Sequence, residues 1–492
     1  MSTVRSAHPG GAVAAVDLGA TSGRVVVGTF EPAGRGAAAG RGARLSLKHV
    51  ARFPNDPVRT PDGLHWDLLG LYRGVLAGLA QAEREQPGEL VSVGVDSWAV
   101  DYALLRGGAV LGIPYHYRDE RTAAGVEAVH AVVGPSDLYA RNGLQHLPFN
   151  TVFQLAVDRA RGLLDATDQV LLVPDLLTYW LTGEVGAERT NASTTGLLDV
   201  RTGEWDRELA ALVGVPARVL PPLVEPGSGR GVLSREVADV VGRALPVTAV
   251  GSHDTASAVV AVPATDRDVA YVSCGTWGLV GLELDAPVLT EDARVAGFTN
   301  EGGVDGRVRF LHNVMGLWLL SESIRSWDRA ATPAQQSSTL QSLLAAAADV
   351  TGPVPVFDVD DARFLAPGDL PARIAGWFDE RGLAAPSSRP ALVRSIVESL
   401  AQAFADAVAT AARLAGRPVR AVHVMGGGAQ NTLLCQALAD RSGLPVLAGP
   451  VEATAIGNVL VQARAHGLVS GDLESLRAVV VESFPPVRYE TR

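Results

Sequence analysis

Short apolar runs, rich in β-branched residues, alternate along the chain with longer stretches in which apolar residues recur at helical spacing. This alternation is typical of α/β proteins, in which helices connect the strands of a sheet. The runs that predict strands are Val13–Asp17, Val25–Phe30, Leu90–Val95, Val247–Gly251, Val269–Ser273, Leu279–Leu284 and Ala421–Met425. The stretches that predict helices are Leu68–Glu83 with Asp67 as its N-cap, Ala123–Val133, Thr151–Gly162 and Leu392–Ala415.

Two segments interrupt this pattern. Pro216–Gly231 is rich in proline and glycine and predicts an irregular connection, and Pro32–Arg44 predicts a surface hairpin or loop. A chain of 492 residues is too long for one hydrophobic core. We therefore predict two domains, at residues 11–245 and 246–485.

A glycine-rich turn between two apolar strands occurs twice. The first runs from Leu18 to Arg24 directly after Asp17, and the second is Cys274–Gly278. Each turn could be a simple tight hairpin, or it could present backbone N–H groups and hydroxyls to a phosphate. Neither is a Walker P-loop, since the Gly-Lys-Ser/Thr ending is missing. Because stability alone does not require the same turn in both halves, the repetition favours a two-domain phosphotransferase with its site in the cleft between the halves.

Composition narrows the class of partner. The 42 basic and 53 acidic side chains leave a net charge of −11, and no basic run stands out. This balance argues against nucleic acid or an anionic membrane as the main partner. The two cysteines, Cys274 and Cys435, lack metal-ligand spacing and exclude a framework of several disulfides. With no signal-type or membrane-length apolar run, we expect a soluble cytoplasmic protein.

Asp254 is the strongest candidate for chemistry. It follows a strand and precedes the small-residue helix Ala256–Val260. Asp254 or Thr255 could serve only as the N-cap of that helix, or Asp254 could accept a proton from a substrate hydroxyl. A third glycine signal, Gly426–Gly428, joins a strand to a helix and permits close approach of a phosphate or a flat ligand.

A polar and aromatic cluster follows the strand that ends near Asp96. Aromatic residues are more often core than ligand platforms, but aromatic faces beside polar groups also suit a polyhydroxylated substrate. No residue near His116 has metal-ligand spacing, and Cys274 is interpreted as a small filler of its hairpin. The cluster consists of Trp98, Asp101, His116, Tyr117 and Arg118.

The order of these motifs resembles the actin/Hsp70/sugar-kinase superfamily and, within it, the FGGY carbohydrate kinases. The resemblance extends from about residue 11 to about residue 485. The segments that carry it are Val16–Arg24, Val95–Asp101, Tyr117–Thr122, Gln145–Thr151, Thr190–Thr195, Ser252–Ala258, Asn300–Gly303 and Asn313–Leu320.

This resemblance implies an α/β fold of two actin-like (ribonuclease H-like) domains with a central catalytic cleft. The sugar is expected mainly on the N-terminal domain and ATP mainly on the C-terminal one, in a monomer or homodimer. The implied activity is Mg²⁺-dependent transfer of a phosphoryl group from ATP to the 1-hydroxyl of L-rhamnulose.

The resemblance also implies roles for individual residues. Asp254 matches the catalytic base. Independently of the resemblance, the place of Asp17 before the first glycine-rich turn leads us to expect that it positions Mg²⁺ through water. The expected sugar contacts are Trp98, Ala99, His253, Asp254, Thr255 and Asn313. The expected ATP contacts are Ala20, Thr21, Ser22, Gly23, Arg24, Thr276, Gly426, Gly427, Gly428 and Asn431.

The chain departs from the family pattern at two positions. Ala99 stands where the family has a glycine near the sugar, so its methyl group could narrow the site or change the sugar preference. Ser321 stands where the family has a glutamine that contacts ATP, and serine is too short to replace it. The alternatives are a kinase of the same family for L-fuculose or L-xylulose, and a non-enzymatic nucleotide-binding protein of the actin/Hsp70 type.

Overall fold

The computed structural model describes residues 11–31 and 44–492. The predicted loop of residues 32–44 therefore lies outside the described residues, apart from Arg44. The strands are β1 (Gly11–Leu18), β2 (Ser22–Glu31), β3 (Arg44–Pro54), β4 (Val58–Thr60), β5 (Gly63–His65), β6 (Leu90–Ser97), β7 (Tyr102–Arg106), β8 (Ala109–Val110), β9 (Gln169–Leu172), β10 (Ala187–Glu188), β11 (Leu223–Val224), β12 (Gly229–Val232), β13 (Pro246–Thr248), β14 (Val269–Cys274), β15 (Trp277–Leu284), β16 (Phe298–Gly302), β17 (Val308–Met315), β18 (Ala421–Met425), β19 (Val446–Ala448) and β20 (Val487–Tyr489).

Helices connect most of these strands. The α-helices are α1 (Leu68–Glu85), α2 (Thr122–His130), α3 (Pro135–Asn142), α4 (Thr151–Ala160), α5 (Val173–Thr182), α6 (Arg189–Ala192), α7 (Arg207–Leu212), α8 (Arg235–Val241), α9 (Asp254–Val260), α10 (Glu291–Val295), α11 (Trp318–Trp327), α12 (Pro333–Ala348), α13 (Leu370–Asp379), α14 (Arg389–Ala415), α15 (Thr432–Ser442), α16 (Ala453–Ala465) and α17 (Leu473–Ser483). Short 3₁₀-helices lie at Leu163–Ala166, Ala217–Val219, Val304–Gly306, Ala362–Phe364 and Gly427–Gln430.

The described chain divides into two compact units, each discontinuous in sequence. The first contains the described residues up to Thr265 together with Glu283–Phe310 and Glu452–Phe484, and the second contains Asp266–Leu282, Leu311–Val451 and Pro485–Arg492. The division into domains at 11–245 and 246–485 stays a prediction.

The first unit is organised around a six-stranded sheet with the order β12-β13-β6-β1-β2-β3. Strand β1 pairs antiparallel with β2 and parallel with β6. All but the first residue of β1 are buried, as expected of a central strand covered on both faces. The core beside it includes Val16, Val25, Leu71, Val75 and Leu79 from the sheet and from α1.

In the second unit, neighbouring strands follow the order β17-β15-β14-β18-β19-β20. Strand β14 pairs antiparallel with β15 and parallel with β18. The strand directions in β15-β14-β18 are thus the same as in β2-β1-β6 of the first unit. The two glycine-rich hairpins occupy corresponding places in these two sheets, as their repetition in the sequence predicted.

Helix α16 packs closely against α9 in the first unit. A Cβ atom added at Gly457 would lie 1.8 Å from the carbonyl oxygen of Ser257, so only glycine permits this approach. Since α9 begins at Asp254, the contact helps to fix the helix that carries the candidate base.

The predicted strands and helices are confirmed, with shifted ends. Asp67 is the N-cap of α1, where its side chain accepts from the N–H of Gly70. Helix α2 ends at His130 rather than Val133, and α3 begins at Pro135 after the extended Gly134. Strand β13 ends at Thr248, after which Ala249 pairs with an irregular loop. Among the described helices, none is long and apolar enough to cross a bilayer.

Candidate active site

The first hairpin brings an aspartate and an arginine together. Asp17 and Arg24 are paired across β1 and β2, and Arg24 Nε and Nη2 donate to Asp17 Oδ2 at 2.9 and 2.6 Å. Arg24 Nη1 also lies 2.5 Å from Glu452 Oε2. The guanidinium therefore sits between two carboxylates and is held in place from both sides.

The turn of this hairpin is closed by its own backbone. The N–H of Gly19 donates to the carbonyl of Ser22 at 3.0 Å, and Asn55 Nδ2 donates to the carbonyl of Gly19 at 2.8 Å. Within residues 11–31 and 44–492, no group accepts a hydrogen bond from the N–H of Ala20 or of Thr21. These two donors are available to an anionic ligand.

Asp96 joins this cluster, although no sequence motif predicted a role for it. It faces Asp17 across the parallel pair β1 and β6, and it is fully buried. Its Oδ2 accepts from Asn458 Nδ2 at 2.6 Å, while its buried Oδ1 has no hydrogen-bond partner among the described residues. The signal that could have revealed it is its place at the end of a predicted strand, like Asp17.

Burial and charge act together on these carboxyl groups. Burial raises the pKa of Asp17, and the neighbouring Arg24 partly opposes that effect. Burial and the negative charges of Asp17 and Asp254 raise the pKa of Asp96 well above its usual range. The first unit therefore concentrates three acidic groups, Asp17, Asp96 and Asp254, close enough to influence one another.

Asp254 is the first residue of α9, and His253 occupies the N-cap position. Neither Asp254 nor Thr255 is therefore the N-cap. Asp254 Oδ1 accepts from the N–H and from Oγ1 of Thr255 at 2.6 and 3.2 Å. No group of the described chain makes a hydrogen bond to Oδ2, and about a third of the side chain is exposed, at 31%. One carboxylate oxygen is held by the protein and the other is open.

The segment before Asp254 is held by a buried glutamate that the sequence analysis missed. Glu188 Oε2 accepts from the N–H and from Oγ of Ser252 at 2.9 and 2.8 Å. The same oxygen accepts from Thr190 Oγ1 at 2.5 Å. Strand β6 adds a bond from the N–H of Ser97 to the carbonyl of Ser252 at 2.9 Å. The Thr190–Thr195 motif was the signal, because it begins beside Glu188.

His253 lies between Asp254 and a buried ion pair. Its Nε2 is 3.3 Å from Asp254 Oδ1, and its Nδ1 is hydrogen-bonded to Arg309 Nη2 at 3.0 Å. Arg309 is fully buried and lies 3.0 Å from Glu301 Oε2. The Asn300–Gly303 segment was singled out by its sequence, but Arg309 was not.

The aromatic cluster is organised by Asp101. Its Oδ2 accepts from the indole N–H groups of Trp66 and Trp98 at 2.6 and 3.1 Å, and from the N–H of Tyr117 at 3.1 Å. Burial raises the pKa of Asp101 to about 6, although these donors oppose the shift. Because Trp98 is 5% exposed and its N–H is engaged, the cluster is mainly internal packing.

His116 is part of the same internal stack. Its ring lies 4.0 Å from that of Trp66 and 4.5 Å from that of Tyr117, measured between centroids. Burial, together with the charge of Arg118, lowers the pKa of His116 to about 3. The imidazole is therefore neutral at physiological pH.

The backbone turns sharply beside Ala99. Ala99 is half-buried, and the next residue, Val100, has a φ of 66°, which is rare for a β-branched residue. Thr151 Oγ1 donates to the carbonyl of Val100 at 2.6 Å and helps to hold this conformation. The strained turn fixes where the methyl group of Ala99 lies.

The second hairpin has its own anchors within the second unit. The N–H groups of Leu317 and Trp318 donate to the carbonyls of Gly275 and Thr276 at 2.9 and 3.2 Å. These bonds tie the turn to the start of α11, while the side chain of Thr276 remains half-buried. Ser321 is an exposed residue of α11, and Asn313 is a half-buried residue of β17.

The third glycine segment packs against the second hairpin. A Cβ atom at Gly428 would lie 2.4 Å from Cys274 Sγ, so this glycine is required for packing. Gly427 begins a 3₁₀-helix, and the first N–H groups of a helix have no partner within it. Asn431 is the N-cap of α15, with its Oδ1 accepting from the N–H of Leu434 at 3.1 Å.

The cysteines behave as core residues. Cys274 and Cys435 are free and buried, and burial raises the pKa of each thiol to about 12. This supports the interpretation of Cys274 as a filler rather than a nucleophile. Among the residues that the structure describes, no group of three or more His, Cys, Asp or Glu side chains is arranged to hold a metal ion by itself.

The fold is that of the two-domain sugar kinases. A solved structure of xylulose kinase from Lactobacillus acidophilus superimposes with a TM-score of 0.75 at 14% identity, covering 98% of this chain and 94% of that one. Glycerol kinase from Plasmodium falciparum superimposes with a TM-score of 0.73 at 14% identity, covering 98% and 94%. The predicted α/β fold class is thereby confirmed.

Sequence comparison identifies the family. The models of the N-terminal and C-terminal domains of the FGGY family of carbohydrate kinases match residues 77–261 and 270–466. The rhamnulokinase of Pectobacterium atrosepticum is 41% identical over 483 residues, or 98% of this chain and 93% of the relative. The rhamnulokinase of Bacteroides thetaiotaomicron is 40% identical over 481 residues, or 96% and 95%. The chain belongs to the FGGY family of carbohydrate kinases and is a phosphotransferase.

Proposed function

We propose that this enzyme transfers the γ-phosphoryl group of ATP to the 1-hydroxyl of L-rhamnulose. The observation that carries the choice of sugar is the 41% identity to a rhamnulokinase across nearly the whole of both chains. The geometry of Asp254 supports the chemistry, because one of its carboxylate oxygens is held by Thr255 and the other is open.

In this mechanism Asp254 Oδ2 accepts the proton of the 1-hydroxyl while the hydroxyl oxygen forms its bond to the γ-phosphorus. The bond from that phosphorus to the bridging oxygen of ATP breaks, and ADP leaves. Proton transfer to a positioned carboxylate and neutralisation of the phosphate charge are what phosphoryl transfer requires. Glu188 holds the loop through Ser252, so Asp254 needs little reorganisation before it acts.

Phosphate binding is assigned to the glycine-rich turns. Ala20 and Thr21 offer free N–H groups, and Ser22, Gly23 and Arg24 continue the turn, with the guanidinium of Arg24 held between Asp17 and Glu452. In the second unit the assignment covers Thr276, Gly426, Gly427, Gly428 and Asn431. Asn431 and Gly428 already have structural roles, so their contribution is expected to be positional. The exposed side chain of Ser321 is given no ATP contact.

The acidic groups fit a magnesium ion. Mg²⁺ prefers oxygen ligands and keeps part of its water shell, and Asp17 and Asp96 occupy paired positions on the neighbouring strands β1 and β6. The unpartnered Oδ1 of Asp96 is the kind of acceptor that a hydrated cation satisfies. When bound, Mg²⁺ neutralises charge on the transferred phosphate. Asp17 is proposed to orient a water of that ion, with Arg24 balancing its charge when the ion is absent.

Sugar binding is assigned to a set of residues that includes the loop before Asp254. The proposed contacts are the backbone at Trp98 and Ala99, the side chains of His253 and Thr255, and Asn313. The indole N–H of Trp98 is already used by Asp101, so only the edge or backbone of Trp98 is offered to the sugar.

The direct test is a coupled ADP-release assay with Mg²⁺ and ATP. The sugars are L-rhamnulose, L-fuculose, L-xylulose, D-xylulose and glycerol, and each is also run without enzyme. A clear preference in kcat/KM for L-rhamnulose supports the proposal. A preference for another ketose overturns the choice of substrate and leaves the kinase assignment standing.

A further inference from the structure

His253 lies beside the candidate base. The protonation of its ring determines whether it offers a hydrogen-bond donor or an acceptor there. Its two ring nitrogens have different neighbours, and both lie in the first unit. Nε2 is 3.3 Å from Asp254 Oδ1, whereas Nδ1 is 3.0 Å from Arg309 Nη2 and 3.3 Å from Glu301 Oε2. His253 is largely buried, at 6% exposed.

The neighbour at Nδ1 decides which nitrogen carries the proton. A guanidinium can only donate, so Nδ1 must accept in the bond from Arg309 Nη2. Glu301 Oε2 lies nearby, but it accepts no hydrogen bond from His253 or from Arg309. Nδ1 is therefore unprotonated, and a neutral imidazole has its proton on Nε2.

Arg309 is fixed in the position from which it donates to His253 Nδ1. It is fully buried on β17, its Nε donates to the carbonyl of Gly302 at 2.9 Å, and Glu301 balances its charge at 3.0 Å. Burial alone would raise the pKa of Glu301, but the charge of Arg309 opposes this effect and that pKa is lowered. Glu301 is thus a carboxylate that keeps Arg309 charged in the interior.

On its other side the ring lies beside the carboxylate of Asp254. With the other tautomer, the lone pair of Nε2 would face a carboxylate oxygen at 3.3 Å, which is repulsive. With an imidazolium, two N–H donors would meet at Nδ1 and Arg309. Only the neutral Nε2–H form agrees with both sides of the ring.

We propose that Arg309 is a positioning residue that holds His253 as the neutral Nε2–H tautomer, so that His253 presents a donor beside Asp254. The donor stabilises the carboxylate at its Oδ1 side and is available to an oxygen of the sugar. The tautomer itself follows from the contacts, whereas its effect on turnover rests on the proposed role of Asp254.

The tautomer can be measured without substrate. Protein with ¹⁵N-labelled histidine is studied by long-range ¹H–¹⁵N correlation, and the His253→Gln variant identifies the signals of His253 among the ten histidines. We expect Nε2 to be protonated and Nδ1 to be unprotonated at neutral pH. A protonated Nδ1, alone or with Nε2, overturns the proposal whatever the enzyme phosphorylates.

Variants then test the role of Arg309. In Arg309→Met, the nearest group to Nδ1 is Glu301, so we expect the proton to move to Nδ1 and kcat to fall roughly tenfold to a hundredfold. Arg309→Lys keeps a donor and is expected to retain the wild-type tautomer and most of the activity. An unchanged tautomer in Arg309→Met overturns the proposal.

The matched control is Arg477→Met. Arg477 is also buried, forms a two-pronged ion pair with Glu283 at 2.9 and 3.0 Å, and donates to the carbonyl of Val259 at the end of α9. Its loss costs stability in the same helix without touching His253. We expect the control to lower the unfolding temperature and to leave the tautomer unchanged. A tautomer change in the control as well would show that Arg309 acts only through general stability.

Discussion

Asp17 and Asp96 face each other across the parallel strands β1 and β6, and both carboxyl groups are buried. Arg24 pairs with Asp17, whereas the side chain of Asp96 accepts its one hydrogen bond within the described residues from the amide of Asn458. The carboxyl group of Asp17 is therefore balanced by an arginine, whereas that of Asp96 is held by an amide. A buried acid that is only partly compensated costs stability and is typical of a functional site.

Asp96→Asn is expected to stabilise the protein at neutral pH. The pKa of Asp96 is raised in the folded state, so folding favours the protonated acid. The stabilisation that the protonated acid gives to the folded state is lost as the pH rises above about 4. Asparagine removes this loss, so the unfolding temperature of the variant should exceed that of the wild type at pH 7, with a smaller difference at pH 4. Thermal unfolding at both pH values measures this, with the exposed Asp56→Asn as control. A variant less stable at pH 7 would contradict the prediction.

Activity should move in the opposite direction in Asp96→Asn. If Asp96 supplies an oxygen near the metal, the concentration of Mg²⁺ needed for half-maximal rate should rise roughly tenfold or more. Titration of the rate with Mg²⁺ at saturating ATP and sugar measures it. An unchanged Mg²⁺ requirement would assign Asp96 a purely structural role.

Asp254→Asn should reduce kcat by roughly two to four orders of magnitude, because the variant cannot accept the proton of the sugar hydroxyl. The amide oxygen can still accept from Thr255, so the unfolding temperature should change little. Steady-state kinetics, with ATP affinity measured by calorimetry, distinguish the effects. Loss of stability with kcat retained would assign Asp254 to the helix rather than to catalysis.

Ala99→Gly should weaken the discrimination between ketoses. The methyl group of Ala99 is fixed by the left-handed backbone of Val100, and one methyl group in a binding site changes selectivity by roughly tenfold. The ratio of kcat/KM for L-rhamnulose to that for L-fuculose should fall by about this factor. Ala109→Gly, at an exposed strand position, controls for the flexibility of glycine. An unchanged ratio would place the methyl group away from the sugar.

His116 should make the protein sensitive to acid. Its pKa falls to about 3 on folding from 6.5 in the unfolded chain, so the unfolded state binds the additional proton as the pH falls below 6.5. This one group should therefore cost about 2 kcal/mol of stability between pH 7.5 and pH 5.

Urea unfolding at both pH values tests this for His116→Gln. The variant should lose about 2 kcal/mol less than the wild type on acidification. His49→Gln, at an exposed position, is the control. An equal loss in the wild type and His116→Gln would mean that the ring is protonated in the folded state.

Much of the fold could be predicted from local pattern. The strand at Val13–Asp17, the helix beginning after Asp67 and the two glycine-rich hairpins follow from hydrophobic spacing, capping residues and turn residues, which act over a few positions. The motif order also placed Asp17, Asp254 and the glycine turns among the candidates. These features depend on neighbours in sequence, so the sequence determined them.

The tertiary structure decided which side chains meet. The register of β1 and β6 sets Asp96 beside Asp17, 79 positions along the chain, and the indole N–H of Trp98 is turned inward to Asp101. Two distant residues hold the loop before Asp254. Glu188 bonds to Ser252 from 64 positions away, and Arg309 bonds to His253 from 56 positions away. Packing and the cost of burying an unpaired polar group determine which side chains become partners. Neither factor corresponds to a fixed separation in the sequence. The sequence by itself determined the elements and the motifs, and tertiary packing decided the hydrogen bonds that distinguish a held oxygen from an open one.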